Sequence, residues 1–317
     1  VQVESDVVVP IEEVSDKAEY AAYTIRTKIN RQLEAYLKDL EPRAVLHPSM
    51  SISIRGIELD NIQTVLDQLN IDGSIPPVSH FFKGGTSRAK DRFGDFIENR
   101  FHQYVAHRNQ PKTLDVSFMS PYLHFGQISP LYLALKIKAS DDHSEEDRKS
   151  YLEELIIRRE LAMNFVYFNP AYDVLDCLPN WAKKTLAEHK KDARQFLYSK
   201  SELENSQTHD EYWNAAMREM KISGFMHNYM RMYWGKKILE WSETPEKAYE
   251  TLTAINNAYF LDGRDPNSYA GIGWIFGLHD RAWFERPVFG KVRYMAASGL
   301  ERKCDIKGYV RRINQMI

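Results

Sequence analysis

Apolar residues return at helical spacing through most of this chain. Ile57 to Leu69 carries one such pattern, Phe93, Phe96, Ile97, Phe101, Tyr104 and Val105 a second, and Leu152, Leu155 and Ile156 a third. Each sets its apolar side chains on one face of a helix. Residues 17–40, the run "SPLYLALKIKAS" and Glu246 to Tyr259 predict further helices, and Thr86 or Ser87 is placed to cap the second patterned helix. Strand signals are nearly confined to "VQVESDVVV" at residues 1–9, which predicts a β-strand ended by Pro10. One strand cannot bury its faces alone, and the chain begins without Met. The expectation is therefore that residues 1–45 are the remnant and exit linker of an N-terminal α/β domain, and that residues 46–317 form a mainly α domain. "EPRAVLHPSM" reads as a connector, "ASDDHSEEDRKS" as a solvated loop or helix start, and long irregular loops are expected around 106–121, 168–180 and 260–290. No repeat of 20 to 50 residues is present.

Composition sharpens this picture at a few points. With 317 residues, 43% of them hydrophobic, the chain can bury one large core or two adjacent ones. The formal net charge of −2 gives no global sign of a nucleic-acid partner. From Arg281 onward, however, nine Lys/Arg face three acidic residues, so the C-terminal end is locally basic. Cys177 and Cys304 are the only cysteines, too few for a disulfide framework and without the spacing of a zinc site, which points to a reducing compartment and no metal. No run reaches the roughly 18 apolar residues of a membrane span, and no signal peptide is recognised.

Candidate chemistry concentrates in "LDGRDPNSYAGIGWIFGLHDRAW", residues 261–283, which combines four glycines, two tryptophans, two arginines and three aspartates. "GIGWIFG" looks like a dinucleotide fingerprint, but the segment before it is helical and no βαβ unit frames it, so that reading is rejected. Gly271, Gly273 and Gly277 instead suit a backbone that approaches something flat. Trp234 and Trp241, seven apart in "MRMYWGKKILEW", fall on one helical face, and a turn near Ser223–Gly224 folds Trp213 back beside them. Three tryptophans so placed are either core filling or a hopping chain for electrons, which needs a redox cofactor at one end. Ser117 and Ser120 precede or adjoin Pro121, where hydroxyls and free N–H groups suit an anionic phosphate. Arg231 lies on the helical side of Trp234, with Asp262 as a plausible partner. Glu154 and Arg158, four apart, read as an exposed ion pair.

The stretches "SPYLHFGQIS", "RREL..NF", "NAYFLDGRDPNSYAGIGW" and "HDRAWFERPVFGKVRYM" together resemble the class II cyclobutane pyrimidine dimer photolyases, in register across nearly all of residues 80–310. The resemblance implies a photolyase-type helical FAD-binding domain that uses blue or near-ultraviolet light to split pyrimidine dimers in DNA, with the cofactor active as FADH⁻. It puts Tyr104 and Ser117, Phe118, Met119, Ser120 and Pro121 at the flavin phosphates and ribityl chain. Arg231 and Asp262 become an ion pair beside the isoalloxazine ring, and Asn256 the amide facing its N5. Glu154 becomes a contact to the dimer, Trp213, Trp234 and Trp241 the electron-transfer chain, and Arg108, Trp274, Arg281 and Trp283 the contacts to lesion or DNA. The sequence departs from some relatives at Arg158, where an aromatic residue can line the pocket.

These residues would make 261–283 the floor and rim between flavin and lesion, with tryptophans receiving an extruded dimer that pairs poorly and flips at low cost. The expected partner is ultraviolet-damaged DNA and the expected state a monomer, cytoplasmic in a prokaryote or nuclear in a eukaryote. An antenna chromophore is not expected, because most of the antenna domain is absent from the sequence. Two rivals are a cryptochrome-like light sensor, which keeps FAD and signals through a protein partner, and a helical DNA-binding module without chemistry.

Overall fold

The helical periodicity is realised as seventeen α-helices in a computed structural model that describes residues 4–40, 44, 46, 47 and 49–316. They are α1 (Ile11–Val14), α2 (Ala22–Tyr36), α3 (Ile62–Asp67), α4 (Thr86–Asn99), α5 (Tyr104–His107), α6 (Ser120–His124), α7 (Pro130–Lys138), α8 (Glu145–Leu152) and α9 (Arg159–Phe168). The remainder are α10 (Asn180–Glu188), α11 (Lys200–Glu204), α12 (Glu211–Ser223), α13 (Asn228–Trp241), α14 (Pro245–Tyr259), α15 (Pro266–Ile275), α16 (Ala297–Lys303) and α17 (Ile306–Asn314). No helix among the described residues is long and apolar enough to cross a membrane.

The chain divides into two units. Residues 39–77 form the smaller, whose helix α3 is the realised part of the Ile57–Leu69 pattern. It buries none of its residues; Asn61 caps it, accepting from the Thr64 amide at 3.3 Å. The larger unit, residues 1–38 and 78–317, holds two main clusters of buried side chains. One gathers α2, α4, α7 and the start of α9 around Phe93, Phe96, Phe101 and Ile29; the other gathers α12 to α15 and α17 around Trp213, Trp234, Tyr233 and Tyr309. Within it α15 packs along α9, and α12 along α17.

Three expectations are corrected here. Val1–Val3 lie outside the described residues, and residues 4–9 form no strand; among the described residues the single β-pairing is an isolated bridge between Arg286 and Gly290. The Val8 and Val9 amides donate instead to Glu160 Oε1, at 2.7 and 3.3 Å, so a buried carboxylate on α9 replaces a neighbouring strand. Burial pushes Glu160 up to about 8. Neither Thr86 nor Ser87 caps α4: Gly85 stands at its N-cap and Thr86 is already helical. The charged segment around 140–150 is the expected loop and helix start, with Ser144 capping α8 and accepting from the Asp147 amide at 3.0 Å. The region 260–290 is not all loop, because α15 runs through the glycines, opened by Pro266 at its first position and capped by Asp265, which accepts from the Asn267 amide at 2.8 Å.

Between α8 and α9, Glu153–Arg158 winds as a π-turn. Wider turns bring residues five apart together. Arg158 accordingly pairs with Glu153, Nε to Oε1 at 3.4 Å, and not with Glu154 four residues back. Glu154 is left to face elsewhere.

Candidate functional site

A cavity of about 370 Å³ opens in the larger unit, and both clusters contribute its walls. Tyr104 of α5, Ser117 to Ser120 leading into α6, and Glu154 of the π-turn line it from one cluster. Arg231 and Trp234 of α13, Asn256 of α14, Asp262, and Gly271 of α15 line it from the other. Phe118 holds a left-handed φ of 57°, rare for a bulky side chain and a form of strain that persists where the surroundings over-determine it. Its ring sits edge-on to Phe225 at 4.8 Å between centroids, which supplies that constraint. Pro121, the second residue of α6, is buried but is not part of the cavity wall.

The polar side chains of the cavity are ordered by one another. Arg231 NH2 donates to Asp262 Oδ1 at 3.0 Å and Oδ2 at 3.3 Å, while its guanidinium lies over Phe260 at 3.8 Å from the ring centre. Asn256 is 2% exposed and its amide is held by Ser268 Oγ at 2.8 Å and Asn257 Oδ1 at 2.9 Å. Tyr104 is buried, which pushes its hydroxyl well above the usual phenol range, so it stays a neutral donor. Arg108 NH2 donates to Glu154 Oε1 at 2.5 Å and its NH1 to Ser150 Oγ at 2.5 Å. The expected Glu154–Arg158 pair is thus overturned: the π-turn hands Glu154 to Arg108, and Arg158 is exposed and outside the cavity.

Two buried donors on the cavity wall have no partner. His227 Nδ1 accepts from the Tyr229 amide at 3.2 Å, and burial pushes the ring down to about 4, so it is neutral with its proton on Nε2. That Nε2 and Trp234 Nε1 are both buried without a hydrogen-bond partner among the described residues. Unpaired buried donors are costly, and both belong to residues that line the cavity. Sequence reasoning missed His227; the only signal was its place at the N-cap of α13.

The three tryptophans are 0%, 1% and 2% exposed and touch in a fixed order. Trp234, on the cavity wall, stacks on Trp213 at 6.5 Å and 15°, and Trp213 meets Trp241 edge-on at 5.6 Å. The expected turn is present: Gly224, with φ 68°, ends α12 in a left-handed conformation and reverses the chain. Beyond Trp241 lie Tyr198 and His209, each 5.3 Å from it; His209 is exposed, and Tyr198 Oη and His209 Nδ1 share a hydrogen bond of 2.7 Å. Neither was singled out from the sequence, because both sit in short connectors with no periodic pattern.

Trp274, Arg281 and Trp283 form a second group, and none of them lines the cavity. Trp274 is half-buried on α15, while Arg281 and Trp283 are exposed on the hairpin that follows. Arg293, missed in the sequence among the many C-terminal cations, joins them: its guanidinium is 5.5 Å from the Trp274 ring centre and 4.8 Å from that of Trp283. Arg281 covers Trp283 at 5.2 Å. Beneath Trp274, buried Lys236 donates to the Ile275 carbonyl at 2.5 Å, and burial pushes its ammonium down to about 7. Arg108 stands apart from this group, on the cavity wall. Of the glycines, only Gly271 faces the cavity; a side chain at Gly273 would strike Leu278, and one at Gly277 would strike Trp181.

No family model matches the chain. Individual proteins do. It is 47% identical to the deoxyribodipyrimidine photo-lyase of Methanothermobacter thermautotrophicus over 316 residues, 100% of this chain and 68% of that protein. Identity is 40% to the protein of the same name from Oryza sativa subsp. japonica, covering 99% of this chain and 63% of its length, and 39% to that of Arabidopsis thaliana, covering 100% and 65%. The chain therefore spans roughly two thirds of the length of these curated relatives. Among solved structures, a bacterial class III photolyase from Agrobacterium tumefaciens superposes with a TM-score of 0.69 at 19% identity, covering 98% of this chain and 61% of the other. A cryptochrome from Synechocystis sp. PCC6803 superposes with a TM-score of 0.66 at 16% identity, with 97% and 61% covered. At that identity the likeness speaks to fold alone, and it agrees with the helical domain expected from the sequence. On the strength of its curated relatives, the chain belongs to the deoxyribodipyrimidine photo-lyase family.

Proposed function

We propose that this chain is the catalytic part of a class II photolyase that binds FAD in the cavity and uses light to split pyrimidine dimers in DNA. One observation carries the reading: a cavity with unpartnered buried donors on its wall meets the inner end of a buried tryptophan stack at Trp234. A photoreducible cofactor fits that junction. The assignment to class II rests on the motif run from Ser120 to Met295 and on the placing of Trp213, Trp234 and Trp241.

The flavin would supply the light-driven electron, and the protein's own residues do the rest. Tyr104 and Ser117 to Ser120 would hold the phosphates and ribityl chain, and Asn256, its amide fixed by Ser268 and Asn257, would stand at the ring edge with His227 on the same wall. The Arg231–Asp262 pair brings a fixed cation to the ring without adding net charge, which favours an anionic reduced cofactor. Trp234, Trp213 and Trp241, ending at Tyr198 and His209, make a route from cavity to surface. Glu154, oriented by Arg108, would meet the dimer's base edge, where a preorganised hydrogen bond stabilises incoming negative charge. Trp274 and Trp283 offer stacking surface for extruded bases, and Arg281 and Arg293 grip phosphates. Residues 1–45 are placed in this reading as the linker from an N-terminal α/β domain; the burial of Val8, Val9, Ile25 and Ile29 suits a connector tied to the helical body. A monomer in a cytoplasmic or nuclear, reducing compartment suits the two buried free cysteines.

The test is the visible spectrum of the purified protein and its repair of dimer-containing DNA in light and in darkness. A flavin spectrum with light-dependent repair is expected. Flavin binding without repair would favour a sensor, and a folded protein that takes up no flavin would end the proposal.

A further inference from the structure

The hairpin that carries Arg281, Trp283 and Arg293 makes few contacts of its own kind. Trp283 N–H donates to Lys291 O at 2.8 Å, and Arg286 and Gly290 exchange bonds of 3.0 and 2.8 Å. So short a two-stranded pairing is not stable by itself. Val288, Phe289 and Val292 anchor its far end in the second buried cluster, and its polar support comes from the C-terminal end of α10 and the loop after it. Thr185 Oγ1 accepts from the Lys291 amide at 3.0 Å, and Asp192 Oδ2 from the Val288 amide at 2.8 Å. Gly290 lies so close to Thr185 and the His189 ring that any side chain there would overlap both.

His189 ties these pieces together. Its Nδ1 is 2.6 Å from Asp192 Oδ2 and its Nε2 is 3.0 Å from Glu285 Oε1, so each ring nitrogen faces a carboxylate oxygen, one on its own loop and one on the hairpin. Both contacts are hydrogen bonds only when both nitrogens carry protons. We propose that His189 is a positioning residue for DNA binding: as an imidazolium it clasps the hairpin 281–293 to the end of α10 and so fixes where Trp283, Arg281 and Arg293 stand. The inference rests on the photolyase reading of that rim.

The surrounding charges support the protonated form. Asp192 and Glu285 face the ring directly. Lys291 lies 3.8 Å from Glu285, and Arg194 donates to the His189 and Asp192 carbonyls at 3.5 and 2.5 Å. Lys190 is drawn away to Glu246 at 3.0 Å, and exposed Arg286 borders the same depression. The hydrogen bond to Asp192 is the largest cause that raises the imidazole above its ordinary range, with Glu285 adding to it. Because the folded state holds the proton more tightly, the clasp is fully formed below the ordinary histidine pKa and is lost as pH rises through the raised one.

The test uses the full chain and His189→Gln and His189→Arg variants, with flavin uptake as the check on folding. Amide hydrogen exchange is followed over 283–292, and affinity is measured for duplexes with and without a pyrimidine dimer. From about pH 6 to about pH 9 the unaltered protein should lose dimer-DNA affinity by about threefold to tenfold, the scale of partly exposed charged hydrogen bonds. His189→Gln should start at the weaker level, lose less affinity over the same range, and show faster exchange at Val288 and Lys291; the dependence that remains belongs to Lys236 beneath Trp274. His189→Arg, cationic throughout, should stay tight, with only that same residual dependence. A Gln variant with the unaltered protein's profile and exchange overturns the clasp. Faster exchange with unchanged DNA affinity shows that the hairpin is not a DNA element, which overturns the positioning role. If the unaltered protein never distinguishes damaged from undamaged DNA, the photolyase reading of the rim fails, and the positioning role falls with it.

Discussion

Trp213 differs from its two neighbours in what its indole nitrogen does. Nε1 donates to the Trp234 carbonyl at 2.9 Å, whereas Trp234 Nε1 is buried without a partner. Phenylalanine at any of the three positions should stop photoreduction of oxidised flavin and spare repair by chemically reduced enzyme, because the stack feeds the cavity and not the lesion. Stability separates them: Trp213→Phe loses packing and a hydrogen bond and should cost about 2–3 kcal/mol in urea unfolding, while Trp234→Phe also removes an unsatisfied donor and should cost less. Equal costs would contradict the distinction. At the rim, Trp274→Ala should weaken binding of dimer DNA by about 1–3 kcal/mol with undamaged DNA little changed, as loss of a stacking surface does. Arg281→Ala should instead weaken both DNAs and make the salt dependence shallower, which titration at several salt concentrations reads directly. Expulsion of flavin by Trp274→Ala would move that residue from the rim to the cofactor site. The Trp234–Trp241 face was legible in the sequence because a spacing of seven survives any regular helix. Glu154 was not, since its partner depends on a π-turn that simple four-residue spacing does not anticipate.

Among the elements, α13 and α15 set the shape of the cavity by how closely they approach. A side chain at Gly235 would run into Ile275 and Leu252, and Ile275 itself lines the cavity. Gly235→Ala should therefore force α15 outward, costing about 1–3 kcal/mol by thermal or urea unfolding and lowering flavin affinity. Trimming Ile275 to Val in the same chain should restore part of both; no recovery would show that the strain lies elsewhere. The same helix explains a misreading. Four glycines and a proline between 261 and 283 argue against helix by propensity, yet Pro266 stands where a helix tolerates it and Gly273 lets the chain fold against Leu278. The terminal "VQVESDVVV" misled in the opposite sense: its alternation suits a strand, but its amides found the Glu160 carboxylate.

For the whole molecule, the cavity is the place where the two buried clusters of the larger unit meet, so a ligand bound there touches both. Flavin should raise the unfolding free energy by about 2.7 kcal/mol at a hundredfold excess over its dissociation constant, seen as a concentration-dependent melting temperature. A melt that ignores flavin would place the ligand elsewhere. With a net charge of −2, any hold on DNA must come from local groups such as the rim arginines rather than from the overall field. The tryptophan arrangement also gives the molecule a built-in optical division. Of its six tryptophans, three are buried in a row that reaches the cavity at Trp234, while Trp274 and Trp283 share the arginine rim. Excitation absorbed in the stack would pass among its members and be quenched by a bound flavin, so the emission that survives would be weighted toward Trp181 and the rim. Intrinsic fluorescence of the flavin-loaded protein should then respond to DNA with no attached dye.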